Sequence, residues 1–384
     1  MEQKPIPVQE RIVQIDILRG FAMLGIYLSI IHGFNNSIPY DGQVFSSYSQ
    51  LDLFIDNLKM VLISNRFIGI FSLLFGIGIA IQEQRCQRKH DNFGPYFLKR
   101  MGILAFLGII NITFFFWGEI LLAYSVFGIL VLILSRLFSW KVLAAIAVAW
   151  FIAFHPVFEI YFKGPLINNF HFFLEEYPFD RVVSIYRSGS LLEMARVRWI
   201  EYGVLYTINS FGMGLSFALI LGGYVVAKKG YHLWFIENLE RTRNLFKIAV
   251  IYSVIFAVYA IVTGNVSFGF MTGMPFILYL MFLFCSLFSY IYLISSMRSN
   301  SRIARWLANN GRLALTGYVG VACFYAFIFH NNGLGLYLEY QALGQFWISF
   351  IAYILYTCFS TLWLSKFKYG PLEWVYRKLS YGRT

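Results

Sequence analysis

Charged residues are scarce in this chain of 384 residues, at 13% of the total, whereas soluble domains carry about 25%. Only nine prolines occur, which leaves few long irregular segments. Hydrophobic residues reach 59%, and the mean hydropathy is +0.63. This composition excludes a water-soluble globule, a disordered chain, a coiled coil and a collagen. It predicts a polytopic membrane protein, whose length accommodates roughly ten spans of about 20 residues.

Motifs for metal, nucleotide and nucleophile chemistry are missing as well. The four cysteines form no C-x-x-C pair, which argues against a zinc site or a disulfide framework. The sequence has no H-E-x-x-H, no G-x-x-x-x-G-K-[ST], no G-x-G-x-x-G and no G-x-S-x-G. We therefore expect no metal centre, no ATP-driven pump, no Rossmann enzyme and no nucleophile elbow.

Acidic residues are fewer than basic ones, 19 against 31, which gives a net charge of +12. In a membrane protein this excess indicates cytoplasmic loops rather than a nucleic-acid partner. With the N-terminus inside, 23 of the basic residues fall in inner segments and seven in outer ones, and Arg19 lies within the first span. The asymmetry predicts a multi-pass plasma-membrane protein with both termini in the cytoplasm.

The apolar runs predict an all-α bundle of about ten transmembrane helices, forming a single membrane domain over residues 1–384. The runs lie near residues 13–33, 67–84, 101–117, 119–138, 140–158, 203–227, 247–264, 273–296, 313–331 and 345–365. Residues 48–64 alternate polar and apolar at helical spacing, which predicts an amphipathic helix on the membrane surface. Residues 160–201 form the one long polar connection, predicted to be a helical excursion outside the cytoplasm.

Ionisable residues in or beside spans are candidates for function, because they are costly in lipid. Asp16 and Arg19 share a helix face and form either a self-neutralised pair or part of an active site. His32, at the outer end of the first span, is either a polar end-cap or a general base. Glu119, in the tight hairpin between the third and fourth spans, either caps the following helix or takes part in catalysis.

An ordered set of blocks resembles the YeiB-like membrane family, known as domain of unknown function 418. The blocks are residues 15–26, 66–67, 71–78, 118–124, 311–318 and 370–377, and the likeness runs from residue 11 to about 382. That family is similar to a wider group of transmembrane acyltransferases, which includes the heparan-α-glucosaminide acetyltransferases. Those enzymes pass an acyl group from acyl-coenzyme A to an acceptor across the membrane.

The resemblance implies roles for individual residues. Asp16 and Arg19 match the D-x-x-R-G motif of the first span, and Arg312 and Tyr318 match the G-R-x-x-L-T-N-Y block. These four residues are expected to bind the acyl-CoA co-substrate. Glu119 falls where the family has Asp in G-D-I-L.

Three positions depart from the family pattern. The usual histidine, eight residues before the G-D-I-L acid, is Asn111 here. The asparagine of the first span is Ile30, and the asparagine of L-T-N-Y is Gly317. Because Asn111 cannot act as a base, it is expected to donate a hydrogen bond, and His32 or His330 would replace the missing histidine.

The expected function is a bacterial, membrane-embedded acyltransferase with His32, Asn111 and Glu119 in one outward-facing polar cavity. The acyl group would pass from cytoplasmic acyl-CoA to a hydroxyl or amine acceptor, either a small molecule or a cell-surface group. Two alternatives stay open: a non-catalytic transporter of a small solute, and a regulatory membrane protein. The expected partners are the lipid bilayer and a second copy of the chain.

Overall fold

The computed structural model describes residues 12–88, 92–161, 172–208, 210–263 and 276–381, and over these residues the regular secondary structure consists of helices, with no strand. The helices are α1 (Val13–Asn35), α2 (Asp41–Phe45), α3 (Gln50–Leu62), α4 (Arg66–Arg88), α5 (Phe93–Phe114), α6 (Leu121–Leu137), α7 (Trp140–Tyr161), α8 (Phe179–Ser188), α9 (Leu191–Ile208), α10 (Ser210–Lys228), α11 (Tyr231–Glu237), α12 (Leu239–Thr263), α13 (Phe276–Ser295), α14 (Arg302–Arg312), α15 (Ala314–Phe329), α16 (Ala342–Lys366) and α17 (Pro371–Tyr381).

Six helical segments are long and apolar enough to cross a membrane, or seven if α14 and α15 form one bent span. Three shorter apolar helices lie within residues 121–137, 140–153 and 212–228. The predicted all-helical, multi-pass architecture is thereby confirmed at the level of six or seven candidate spans. The extreme termini and residues 162–171 of the predicted outer connection lie outside the described residues.

The predicted amphipathic segment contains α3, and its polar face points into the protein. Asp52 and Asp56 are buried, whereas Leu51 and Phe54 are at least half exposed. Asp52 accepts a hydrogen bond from the backbone N–H of Leu343, 2.9 Å away, which ties α3 to the start of α16. The apolar side of α3 is thus the exposed side, as suits a helix that meets lipid.

Helix α1 lies at the centre and packs against α4, α13, α14, α15 and α16. It crosses α14 with the two backbones in direct contact at a pair of glycines. A Cβ built on Gly20 would lie 1.8 Å from the Leu307 carbonyl oxygen, and one on Gly311 would lie 1.9 Å from that of Asp16. Only glycine permits this approach, which is the small-residue packing of membrane helices.

The boundary between α14 and α15 is a sharp break of 80° at Leu313. Tyr356 of α16 contacts two carbonyl oxygens at this break, and each of them also accepts a backbone N–H group, from Leu313 or from Gly317. The Tyr356 hydroxyl contacts the carbonyl oxygens of Asn310 and Leu313 at 2.7 and 2.9 Å. A Cβ on Gly317 would lie 2.4 Å from the Tyr356 ring, so glycine at this family asparagine position makes room for the tyrosine.

Candidate functional site

A cavity of about 350 Å³ opens between the N-terminal part of α1, the C-terminal part of α4, and helices α5, α6, α14, α15 and α17. Five arginines line this cavity, which we call the arginine cavity: Arg19, Arg85, Arg100, Arg312 and Arg377. The two lining carboxylates belong to Asp16 and Glu373. The resulting excess of positive charge favours an anionic ligand, and guanidinium groups suit phosphates.

The glycine crossing of α1 and α14 explains why the family motifs meet here. Since Gly311 touches the Asp16 backbone, its neighbour Arg312 enters the cavity beside Arg19. Arg19 donates to Asp16 across 3.2 Å, and Arg312 donates to the Lys368 carbonyl oxygen across 3.3 Å. One cavity is therefore lined by all four residues that the resemblance implies as a co-substrate site: Asp16, Arg19, Arg312 and Tyr318.

Sequence reasoning missed the other three arginines, because Arg85, Arg100 and Arg377 looked like ordinary cytoplasmic loop charges. Arg100 comes from α5 and lies 4.7 Å from the centre of the Tyr376 ring of α17. Arg377 is the last residue of the block at residues 370–377 that resembles the family, and this resemblance was the one signal that pointed to it. The convergence depends on the docking of α17, which a linear pattern does not encode.

Glu373 of α17 fastens that helix to the site. Its carboxylate accepts from the backbone N–H groups of Leu315 and Thr316 at 2.8 and 3.0 Å, and from the Thr316 hydroxyl at 2.5 Å. The carboxylate thereby caps the N-terminus of α15, where negative charge is stabilised. Burial raises the pKa of Glu373 above its ordinary value.

The cavity is long and has two chemically different ends. On α4 its lining runs from Arg85 back to Phe71, which is about 21 Å at the rise of an α-helix. Arg85 and Gln82 form the polar part of this wall, while Phe71, Leu74 and Phe75 form its apolar part. A ligand with an anionic head and an extended, less polar tail matches this lining.

Glu119 lies behind the far wall of the cavity, in a connection that folds into the bundle rather than along its surface. It is fully buried and accepts hydrogen bonds from the Asn111 side chain and from the backbone N–H of Leu121. The bond from Leu121 places the carboxylate at the N-terminus of α6, which matches the helix-capping alternative that the sequence left open for Glu119. Tyr318, one turn into α15, lies 3.4 Å from Glu119 Oε2 and also lines the cavity. Glu119 and Asn111 are therefore together, and Tyr318 links them to the arginines.

His32 has different partners. Its Nε2 lies 2.8 Å from Asp41 Oδ1, an oxygen that also accepts from Asn36, and its ring stacks on Phe45. His32 is not among the residues that line the arginine cavity. It lies 13 residues beyond Arg19, about 20 Å along α1. The structure thus joins His32 to Asp41 at the opposite end of the helix.

A second buried polar cluster lies near that opposite end. Arg198 of α9 donates to the Thr113 carbonyl oxygen and contacts His330 Nδ1, both at 3.0 Å. Tyr186 donates to Glu201 at 2.5 Å, and burial raises the pKa of Glu201 to about 7. Because His330 Nδ1 faces a guanidinium, it is poorly placed to accept a proton as a general base.

Within the part of the chain that the structure describes, no group of three or more His, Cys, Asp or Glu side chains is arranged to hold a metal ion. The side chains that line or border the arginine cavity supply guanidinium groups, tyrosine hydroxyls and carboxylates.

Comparison with known proteins gives relatives along the whole chain. It is 26% identical to the uncharacterized protein YxaH of Bacillus subtilis (strain 168), over 98% of this chain and 96% of that protein. It is 25% identical to the uncharacterized protein YeiB of Escherichia coli (strain K12), over 97% and 96%. No solved structure matches the chain significantly. Residues 227–383 match the family described as protein of unknown function (DUF418). This family match and the relatives along the whole chain support the resemblance to the YeiB-like DUF418 family.

Proposed function

We propose that the protein is a membrane-embedded acyltransferase that moves an acyl group from cytoplasmic acyl-CoA to a hydroxyl or amine acceptor on the outer side. One observation carries the proposal: the wall of an elongated cavity with five arginines includes Tyr318, which contacts the buried carboxylate of Glu119. This arrangement suits a ligand with phosphates at one end and a reactive acyl thioester at the other.

The phosphates of CoA would occupy the arginine end of the cavity. Arg19, Arg85 and Arg312 come from three different helices, so they can contact phosphate oxygens from several directions. Pockets of 300–1,000 Å³ are typical for small-molecule ligands. A cavity of about 350 Å³ holds the pantetheine arm and a short acyl group, with the nucleotide at its mouth.

Glu119 is the best-placed proton acceptor for the transfer step. The acceptor oxygen or nitrogen attacks the thioester carbon, its proton passes to the Tyr318 hydroxyl as that hydroxyl gives its own proton to Glu119, and the carbon–sulfur bond breaks. CoA leaves as a thiolate, which takes up the proton. Asn111 orients Glu119 through its hydrogen bond, and Tyr318 keeps the carboxylate next to the cavity. His32, paired with Asp41, would act on the acceptor's side of the membrane.

The proposed orientation follows from the basic residues. Four of the five cavity arginines lie in segments that the charge asymmetry assigns to the cytoplasm, and Arg19 lies close to the start of α1. With α15 of the bent pair and the three shorter apolar helices all crossing the bilayer, the bundle has ten spans, and both termini lie on the cytoplasmic side of a plasma membrane.

A transporter is the second candidate, and the break of 80° between α14 and α15 favours it. Discontinuous helices line substrate sites in many transporters, and Arg312 lies at this break. In that case the arginine cavity would bind an anionic solute, and no acyl group would be transferred.

Binding and turnover of acyl-CoA separate these functions. To measure binding, purified protein in detergent would be titrated with acetyl-CoA and, separately, with inorganic phosphate. To measure turnover, the products formed from acetyl-CoA would be analysed by mass spectrometry. Arg312→Ala should weaken acetyl-CoA binding about tenfold or more, as for a lost charge-assisted hydrogen bond. Arg243→Ala, at an exposed arginine outside the cavity, is the matched control and should bind normally. Absence of acetyl-CoA binding by the unmodified protein would contradict the acyltransferase proposal.

A further inference from the structure

Helix α14 presents an exposed face of mixed character next to the arginine cavity. Ile303 and Trp306 are 57% and 48% exposed, and Arg302 and Arg305 are exposed on the same turns. The opposite face, which includes Leu307 and Gly311, packs on α1. The inner face of α14 is therefore covered by α1, whereas its outer face is exposed.

The sharp break places α14 along the membrane surface. Since α15 is an apolar helix and α14 departs from it by 80°, α14 runs nearly perpendicular to α15. Two exposed arginines cannot face the hydrocarbon core without a cost of several kcal/mol. They fit the headgroup level, where the indole of Trp306 is also favoured.

The charge around α14 points to an anionic occupant. The sequence contains no acidic residue between Glu240 and Glu339, a stretch that includes Arg298, Arg302 and Arg305. In the described part of the chain, no acidic side chain forms an ion pair with Arg302 or Arg305. Lipid phosphates are the anions that occur in quantity at this level of a membrane.

Other short helices at the same end have a similar exposed surface. On α17, Lys378 lies 5.0 Å from the centre of the half-exposed Trp374 ring. On α11, Trp234 is 46% exposed. Tyr376 donates to the Arg100 carbonyl oxygen, which fixes α17 near the end where Arg85 and Arg100 line the cavity. Lys228, the last residue of α10, contacts Glu83 of α4, so α11, which begins three residues later, lies at the same end. Exposed aromatic side chains thus occur on α11, α14 and α17, and basic side chains accompany them on α14 and α17.

We propose that α14 is an anionic-phospholipid binding element. Headgroup phosphates contact Arg302 and Arg305, while Trp306 and Ile303 enter the interface. Because α14 ends at Arg312, lipid bound to its outer face holds the helix in the position that directs Arg312 into the cavity. This binding is independent of whether the cavity serves acyl transfer or transport.

The test compares lipid binding by two double variants of equal charge. Protein in detergent micelles that contain both phosphatidylglycerol and phosphatidylcholine would be analysed by native mass spectrometry for the lipid that it retains. Arg302→Gln with Arg305→Gln should lower the preference for phosphatidylglycerol about 25-fold, because each basic residue near an anionic surface contributes a factor of about five. Arg241→Gln with Arg243→Gln removes two exposed arginines at the start of α12, near Glu240, and should change it little.

Two further measurements keep the outcome clear. Arg302→Lys with Arg305→Lys preserves charge and should retain the lipid preference, and the thermal unfolding midpoint of each variant reports folding. The proposal would be overturned if both glutamine variants kept the preference of the unmodified protein for phosphatidylglycerol. It would also be overturned if both variants lost this preference equally, because that result would indicate diffuse surface charge. Acetyl-CoA binding, measured separately, tests the proposed function and leaves the lipid result unaffected.

Discussion

The hydroxyl of Tyr318 lies 3.4 Å from Glu119 Oε2, while the same tyrosine lines the arginine cavity. The hydroxyl also accepts the backbone N–H of Ile120 at 3.3 Å, which fixes its position. Tyr318 is 2% exposed and Glu119 is fully buried. The side chain of Tyr318 therefore connects the arginine cavity to Glu119, the carboxylate of the connection at residues 115–120.

The first prediction tests this connection through Tyr318→Phe. Loss of the hydroxyl should lower acyl transfer about tenfold or more, because Glu119 loses a hydrogen bond that positions it. Acetyl-CoA binding should stay within about twofold, since the ring and the arginines remain. The measurement is the transfer rate at saturating acetyl-CoA alongside the binding affinity. A variant that loses binding and keeps its transfer rate would remove Tyr318 from this role.

The second prediction concerns the glycine crossing that assembles the arginine cavity. Gly311→Ala places a Cβ 1.9 Å from the Asp16 carbonyl oxygen, so α1 and α14 must move apart. Overpacking of this kind costs about 1–3 kcal/mol. We expect a lower thermal unfolding midpoint and weaker acetyl-CoA binding. Gly320→Ala, where no atom lies within 4 Å of the added Cβ, is the control and should match the unmodified protein.

Much of the fold follows from the sequence, because long apolar runs can be stable only as helices within lipid. The runs near residues 67–84 and 345–365 correspond to α4 and α16. The break at Leu313 was not predictable in this way, since residues 302–331 show no proline at that point. At the break the backbone is contacted by Tyr356, a residue of another helix, and such a contact is not visible in a linear pattern.

Only one part of the candidate site could be predicted from the sequence, the part where the first-span motif and the block at residues 311–318 come together. Gly20 and Gly311 form the contact between them. Asp16, Arg19 and Arg312 could be grouped because charges in spans avoid lipid and the family blocks contain them. The depth of Glu119 could not be inferred, because a short connection between two helices normally lies at the surface. Here Phe116 stacks on Phe34, with 4.2 Å between ring centres, and this packing draws the connection inward.

The third prediction is a pH dependence of stability that arises from Glu201. Burial raises its pKa in the folded protein from 4.5 to about 7. The folded state therefore binds the proton more tightly than the unfolded chain does. The stability from this group is fully present below about pH 4.5 and is lost as the pH rises through about 7. A shift of this size corresponds to roughly 3 kcal/mol at most.

Glu201→Gln should flatten this dependence. The thermal unfolding midpoint would be measured between pH 5 and pH 8 in detergent for the unmodified protein and the variant. The unmodified protein should lose more stability over that interval than Glu201→Gln does. Glu240→Gln, at an exposed glutamate, serves as the control and should follow the unmodified protein. Parallel curves for all three proteins would contradict the assignment.

The last prediction separates two proposed bases that lie at different places. Glu119 borders the cavity through Tyr318, whereas His32 is bonded to Asp41 and does not line it. Glu119→Gln should therefore lower acyl transfer about 10²-fold or more, the usual scale for a general base, and leave acetyl-CoA binding intact. His32→Ala should lower transfer by less than about tenfold and act mainly on the apparent affinity for the acceptor. Transfer rates at several acceptor concentrations distinguish the two effects. If His32→Ala abolishes transfer at saturating acceptor while Glu119→Gln retains it, the proton passes to the His32–Asp41 pair, and Glu119 serves only to cap α6.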